Sequence, residues 1–137
     1  MTVYLDTSVI LRVLFRESNP TPDWGRWAAA YASRLWHTEG LRVVDRMRLN
    51  GAINDRQVAQ LRREFDRVHR GLHIVSVSER VLARAGDALP TVVGTLDAIH
   101  LATALCLRDT TEIDAFLTHD TQLGTAAAAM GFVVHGL

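Results

Sequence analysis

Apolar and polar positions follow two different periods along this chain, and the changes of period mark its elements. Val3-Tyr4-Leu5 is a short β-rich run ending at Asp6, and after Thr7-Ser8 comes the apolar run Val9–Phe15. This predicts a strand followed by a helix, with Asp6 at the strand's carboxyl end. Asn19-Pro-Thr-Pro22 breaks the chain, and Ala28–Ala32 reads either as a short strand or as a helical turn. From Ser33 to about Leu49, Leu35, Trp36, Val43 and Met47 recur near one helical face, with Glu39 on that same side. Asn50-Gly51 stops this helix. Asn54 or Asp55 caps the next one, which runs to His69 and is closed by Gly71, so the two helices form an αα-hairpin.

Ile74-Val75 predicts a second core strand. Ser76-Val-Ser-Glu79 has capping-box spacing and opens a helix to about Leu89, and Pro90 and Gly94 form the loop beyond it. The next stretch, Thr95–Arg108, organises the chain. Between Ala98 and Leu107 only His100 and Thr103 are not apolar, the mark of a helix with neighbours on most sides. It nevertheless opens with Asp97, in the first turn, where the helix dipole favours a negative charge. Ala115–Thr118 is another strand, His119-Asp120 a turn, Thr121–Met130 a helix closed by Gly131, and Phe132–Val134 the last strand. This βα alternation at both ends predicts an α/β fold with a central parallel sheet and a helical-hairpin insertion.

Composition narrows the class. A chain of 137 residues that is 48% hydrophobic makes one domain, 1–137, with a real core. No apolar run reaches membrane-spanning length, and the opening Met-Thr-Val-Tyr-Leu-Asp lacks the basic and apolar regions of a secretion signal. With a single cysteine, Cys106, and so no disulfide framework, the expectation is a cytoplasmic protein. Net charge is zero but uneven: residues 1–70 carry 12 Arg against 8 acids, and residues 71–137 carry 3 Arg against 7. The chain has no lysine, which excludes P-loop, Schiff-base and other lysine-dependent chemistry.

The candidate chemistry lies in the acids. Parallel α/β sheets build their sites beyond the carboxyl ends of their strands. Asp6 falls there, Asp120 follows Thr118 at the end of a later strand, and Asp97 opens a helix that can face the same crevice. Glu39 lies on the inner side of the long helix. Each has a structural reading as well: Asp97 and Asp120 as helix caps, Glu39 as a salt-bridge partner of Arg34 or Arg42. Together they would repel, since neighbouring carboxylates raise each other's pKa, and hard divalent cations relieve that repulsion. An oxygen-only ligand set suits Mg²⁺ or Mn²⁺.

Leu5-Asp6-Thr7-Ser8, Ser33-x-Leu35-x-x-x-Glu39, Leu96-Asp97-Ala98-Ile99-His100-Leu101-Ala102-x-Ala104 and Leu117-Thr118-x-Asp120 stand in the order and approximate spacing of PIN-domain proteins. More narrowly, the chain resembles the VapC-type toxins of bacterial toxin–antitoxin pairs, over nearly its whole length. The resemblance implies a PIN-like three-layer sandwich and a metal-dependent endoribonuclease that leaves a 5′-phosphate. Asp6, Glu39, Asp97 and Asp120 match its acidic positions and would hold Mg²⁺ or Mn²⁺. Thr7, Ser8 and Thr118 match nearby hydroxyl positions suited to a metal-ligated water or the scissile phosphate. It further implies an RNA substrate of the tRNA or rRNA class, cut in single-stranded or looped segments, a small cognate antitoxin and a homodimer. The departure from the family pattern is Asp109-Thr-Thr-Glu-Ile-Asp114, a longer and more acidic link than usual. Asp120 rather than Asp114 is expected to be the fourth acid, because a parallel strand puts Thr118 and Asp120 on the edge of Asp6.

Between Arg26 and Arg70 there are ten Arg and five acids. They read either as a phosphate-gripping rim, with Arg42 and Arg46 as substrate contacts and Arg48 beside them, or as a solvated face with pairs such as Arg63–Asp66 and Arg62–Glu64. His100 shares a helix face with Asp97 and reads as a core hydrogen-bonding residue or as a contact to metal-bound water. His119 reads as a solvent-facing residue, at most a substrate contact, and His37, His69, His73 and His135 lack zinc-ligand spacing. Trp24, Trp27 and Trp36 read either as base-stacking residues or, preferably, as core and partner-interface residues. A function from another class, a catalytically idle RNA-binding or protein-interaction module, is opposed by the presence of all four acids.

Overall fold

The computed structural model describes residues 1–137. The elements run β1 (Thr2–Leu5), α1 (Thr7–Leu14), β2 (Ala29–Ser33), α2 (Leu35–Leu49), α3 (Asp55–Gly71), β3 (His73–Val75), α4 (Glu79–Ala85), α5 (Thr95–Arg108), β4 (Ala115–Leu117), α6 (Thr121–Ala129) and β5 (Val134–His135). The five strands form one sheet in the order β3-β2-β1-β4-β5, and every pairing is parallel. β1 lies at the centre and is fully buried from Val3 to Leu5.

Strand alternation divides the core in two. Val3 and Leu5 of β1, with Ala115 and Leu117 of β4, pack on one face against Val9, Ile10 and Leu14 of α1, Trp36 and Val44 of α2 and Phe65 of α3. Tyr4 and Phe116 point the other way, onto Leu101, Ala104 and Leu105 of α5 and Leu123, Ala126 and Ala127 of α6. α4 backs α5 through Val81 against Ile99 and Ala102, so α5 has neighbours on most of its sides. The result is the expected three-layer α/β/α sandwich, with the hairpin of α2 and α3 inserted between β2 and β3. No helix is long and apolar enough to cross a membrane.

Where local boundaries differ from expectation, capping and pairing explain the shift. Of the two readings of Ala28–Ala32 the strand holds, from Ala29 on, and Ser33 is its last residue rather than the start of the helix, because Ser33 pairs in register with Val75. Its buried Oγ still accepts from Leu35 N at 3.1 Å and serves the first turn of α2 from outside it. Asn54, not Asp55, caps α3, in a reciprocal capping box with Gln57. Ser78, not Ser76, caps α4, which stops at Gly86 instead of reaching Leu89. The last strand begins at Val134; Phe132 instead folds into the core under the Arg108 guanidinium, 4.4 Å from its ring centroid. Packing demands glycine at position 40: a Cβ there would meet the Phe65 ring of α3 at 2.4 Å and Leu11 of α1 at 3.0 Å, so α2 closes onto both helices only with glycine at that position.

Candidate active site

The sheet order reverses direction at β1. The chain leaves β1 through α1 toward β2 on one side, and β4 returns on the other. Such switch points leave a crevice beyond the carboxyl ends of the two strands. Leu5 and Leu117 are register partners there, and Asp6 N donates to Leu117 O at 2.9 Å. The two sequence motifs that carry Asp6 and Asp120 therefore lie side by side.

Asp6 is a buried N-cap of α1, and its Oδ2 is saturated by the protein. It accepts from Ser8 Oγ at 2.6 Å, from Ser8 N at 3.3 Å and from Thr118 Oγ1 at 3.0 Å. Thr118 Oγ1 in turn accepts from Asp120 N at 3.0 Å, and Ser8 Oγ accepts from His119 N at 3.0 Å. Asp120 caps α6 with Oδ1, which accepts from Leu123 N at 2.8 Å. On the opposite wall Glu39, half-buried on α2, takes two hydrogen bonds on one oxygen: Oε1 accepts from Thr7 Oγ1 at 2.8 Å and from His100 Nε2 at 2.6 Å. Asp97, half-buried in the first turn of α5, makes no side-chain cap and no ion pair. Its capping role, like the pairing of Glu39 with Arg34 or Arg42, is not what the fold uses.

The electrostatics record the crowding. Burial, and then the charges of Asp120, Asp6 and Glu39, push the Asp97 carboxyl above its ordinary pKa. Burial alone would also raise Glu39, but its hydrogen bond and charge contact with His100, helped by Thr7, hold it below the usual value. His100 is almost wholly buried, which disfavours its charged form, yet Glu39, Asp6 and Asp97 together raise its pKa.

Whether these residues suit a divalent cation turns on the oxygens they leave free. Asp6 Oδ1, Glu39 Oε2 and Asp120 Oδ2 carry no hydrogen bond, while their partner oxygens are fixed by the protein. Asp97 has both oxygens uncommitted. No three His, Cys, Asp or Glu side chains are already closed around a common point. The donor set is nonetheless of hard, oxygen-only character and carries an unrelieved repulsion centred on Asp97, and both features fit Mg²⁺ or Mn²⁺.

The other expected site residues are placed differently. Thr7 and Thr118 are buried, and with Ser8 they spend their hydroxyls on Asp6 and Glu39, so as they stand they position acids instead of facing solvent. Arg42 and Arg48 both bridge to Asp45, at 3.1 and 2.9 Å, which leaves Arg46 as the unpaired arginine of α2. On α3 the anticipated pairs Arg63–Asp66 and Arg62–Glu64 do not form; Asp66 meets His37 at 3.2 Å instead. Asp114 lies on the far edge of the sheet, where its Oδ2 accepts from Thr2 N at 2.6 Å. Trp36 is core, and Trp24 and Trp27, edge to face with each other, pack against the same core cluster. His119, expected to face solvent, is tied down by its ring Nδ1 to Gly136 O at 2.7 Å, a contact between residues too far apart in sequence for periodicity to reveal.

A doubly wound parallel sheet with an acidic crevice at its switch point, closed by a helical hairpin, defines the PIN architecture, and the family model of the PIN domain matches residues 3–128. The chain belongs to the PIN-domain family. Among curated proteins it is 33% identical over 138 residues to ribonuclease VapC47 of Mycobacterium tuberculosis (strain CDC 1551 / Oshkosh), covering 96% of this chain and 93% of that one. It is also 33% identical over 132 residues to ribonuclease VapC46 of M. tuberculosis (strain H37Rv), covering 96% and 95%. Among solved structures, VapBC2 from Rickettsia felis, bound to a DNA fragment from its promoter, superposes with a TM-score of 0.69 at 12% identity over 98% of both chains. A toxin–antitoxin complex from Klebsiella pneumoniae gives 0.66 at 16% identity, again over 98% of both.

Proposed function

We propose that this chain is a VapC-type toxin: a Mg²⁺- or Mn²⁺-dependent endoribonuclease that hydrolyses phosphodiester bonds in single-stranded or looped RNA. The observation that carries it is the crevice itself, in which four acids from four elements each present at least one oxygen free of protein hydrogen bonds. The likeness to the two named ribonucleases supports RNA as the substrate.

Asp6, Glu39, Asp97 and Asp120 would hold the cation. When bound, the ion would activate water and offset charge on the phosphate. The chain's own part is to fix those acids before substrate arrives: Ser8 and Thr118 lock Asp6, Thr7 and His100 lock Glu39, and the N-terminus of α6 holds Asp120. Arg46 and the arginines of α3 would grip phosphates flanking the cut and offset the repulsion of RNA by the acids.

The same reading includes a small antitoxin that neutralises the toxin, a homodimer and a cytoplasmic setting. The likeness to solved toxin–antitoxin complexes supports the first of these.

The test is cleavage of a tRNA pool by purified protein. Cleavage with Mg²⁺ or Mn²⁺, lost in excess EDTA and lost in Asp97→Asn, is the expected result. Full activity in EDTA, or in Asp97→Asn, would end the metal-nuclease reading. Binding of RNA without cleavage in any divalent ion would favour the idle-module alternative.

A further inference from the structure

Glu39 differs from the other three acids in how it reaches the site. Asp6, Asp97 and Asp120 sit at strand ends or helix starts, where backbone geometry places them. Glu39 lies in the second turn of α2 on a longer, freer side chain, and its position rests on side-chain partners. The closer of the two is His100 Nε2, at 2.6 Å from Oε1, against 2.8 Å for Thr7 Oγ1. His100 is only 1% exposed and is itself held from behind: Tyr4 Oη lies 3.1 Å from Nδ1, in the fully buried centre of β1. Tyr4 is stacked on Phe116 with ring centroids 5.1 Å apart, so it is part of the rigid core.

A carboxylate accepts, so Nε2 must carry the proton it gives to Glu39. Tyr4 at Nδ1 accommodates this in either charge state of the ring, donating to a bare Nδ1 or accepting from a protonated one. With Oε1 pinned by His100 and Thr7, the oxygen left over is Oε2. The same division holds in Asp6, whose Oδ2 is pinned while its Oδ1 accepts no hydrogen bond, with His100 Nε2 3.8 Å away.

We infer that His100 is a positioning residue for the metal site: braced by Tyr4, it pins Glu39 Oε1 so that Oε2 is presented to the cation. The inference rests on the metal reading given above. The imidazole itself is not a ligand; it acts through Glu39.

The test uses the full chain and Mn²⁺ alone, with affinity measured by calorimetry or by the spin-resonance signal of free Mn²⁺, and with thermal unfolding checked for each variant. His100→Leu is expected to weaken Mn²⁺ binding at least about tenfold, and to have no further effect when Glu39 is already Gln. His100→Gln places an amide N–H where Nε2 was and keeps affinity within about threefold of the wild type. His100→Asn places it where Nδ1 was, and loses affinity as Leu does. This Gln–Asn comparison decides the matter if the Leu variant does not fold, since both amides carry the same polar burden in the core. Equal affinities for Gln and Asn overturn the inference, as does an effect of His100→Leu that persists in full in the Glu39→Gln background. A gain in affinity on losing the imidazole also overturns it, since His100 would then be competing with the ion for Glu39. Asp97→Asn in the same assay separates the two levels. If it abolishes Mn²⁺ binding while the His100 variants bind normally, only this inference fails; if wild type binds no Mn²⁺, the metal reading fails and takes this one with it.

Discussion

Thr118 Oγ1 donates to Asp6 Oδ2 across 3.0 Å, joining residues 112 positions apart at the ends of two adjacent parallel strands. Through it the ends of β1 and β4 are tied by a side chain as well as by the sheet, and the same hydroxyl receives Asp120 N. One buried oxygen thus sets the spacing between the first and fourth acids.

Thr118→Val keeps the shape and removes that oxygen. It leaves Asp6 to Ser8 alone and orphans Asp120 N, so the expected loss of folding stability is about 2 kcal/mol, the usual range for a hydrogen bond to a charged group. Cleavage should fall as well, since both acids lose their mutual register. Equilibrium denaturation measures the first effect. A loss below ~0.5 kcal/mol would mean that the sheet alone holds the two ends.

Asp97 gives a prediction of the opposite sign. Its pKa is raised in the folded state by burial and by Asp120, Asp6 and Glu39. A group raised on folding contributes stability that is present below its unfolded pKa, ~3.9 for Asp, and lost as pH rises through the folded value. At neutral pH, ionised Asp97 therefore works against folding. Asp97→Asn should raise the melting temperature at pH 7 while abolishing cleavage, and the gap from wild type should close as pH falls toward the ordinary carboxyl range. A variant less stable than wild type at pH 7 would show that the Asp97 charge has a favourable partner in the fold.

The fold and the placing of the acids were legible because they depend on local signals. The strand Val3–Leu5 is β-rich and ends at an acid, and α5 is apolar nearly all round. What joins those signals was not legible. Nothing in the spacing of Tyr4, Glu39 and His100 says that they touch, because the contact is made across the sheet between three separate elements. Helix ends depart from the sequence expectation where the capping atom belongs to another residue, as with Ser78 in place of Ser76. The rim of arginines was visible only as a count; which of them remain free depends on rotamers around Asp45 and Asp66.

That last distinction makes the basic rim testable one residue at a time. Arg42 and Arg48 already share Asp45, and Arg46 has no acidic partner. Arg46→Ala should weaken RNA binding and reduce the slope of log affinity against log salt by about one unit, the signature of one lost phosphate contact. Arg42→Ala should change the slope by less, because its charge is partly offset. Equal slopes for wild type and Arg46→Ala would assign this arginine to solvent or to a protein partner.

Asp120 and Asp114 flank the same strand, and their variants should part company. A strand rises about 3.3 Å per residue, so groups beyond its two ends are more than ~10 Å apart, on opposite edges of the sheet. Asp114 lies where the strands begin: its N–H donates to Thr2 O at 2.8 Å and its Oδ2 accepts from Thr2 N at 2.6 Å. Asp120 lies where they end, capping α6 with Oδ1, with Oδ2 free. Asparagine keeps a cap nearly as well as aspartate, so Asp120→Asn should fold normally. Its cleavage should nevertheless drop at least about tenfold, ~1.4 kcal/mol of transition-state stabilisation. Asp114→Asn should show the reverse: cleavage close to wild type, with about 1 kcal/mol of stability lost as the hydrogen bond to Thr2 N gives up its charge. Single-turnover cleavage and equilibrium denaturation of the two variants measure both halves. Cleavage that survives Asp120→Asn and fails in Asp114→Asn would place the site on the other edge of the sheet, away from Asp6.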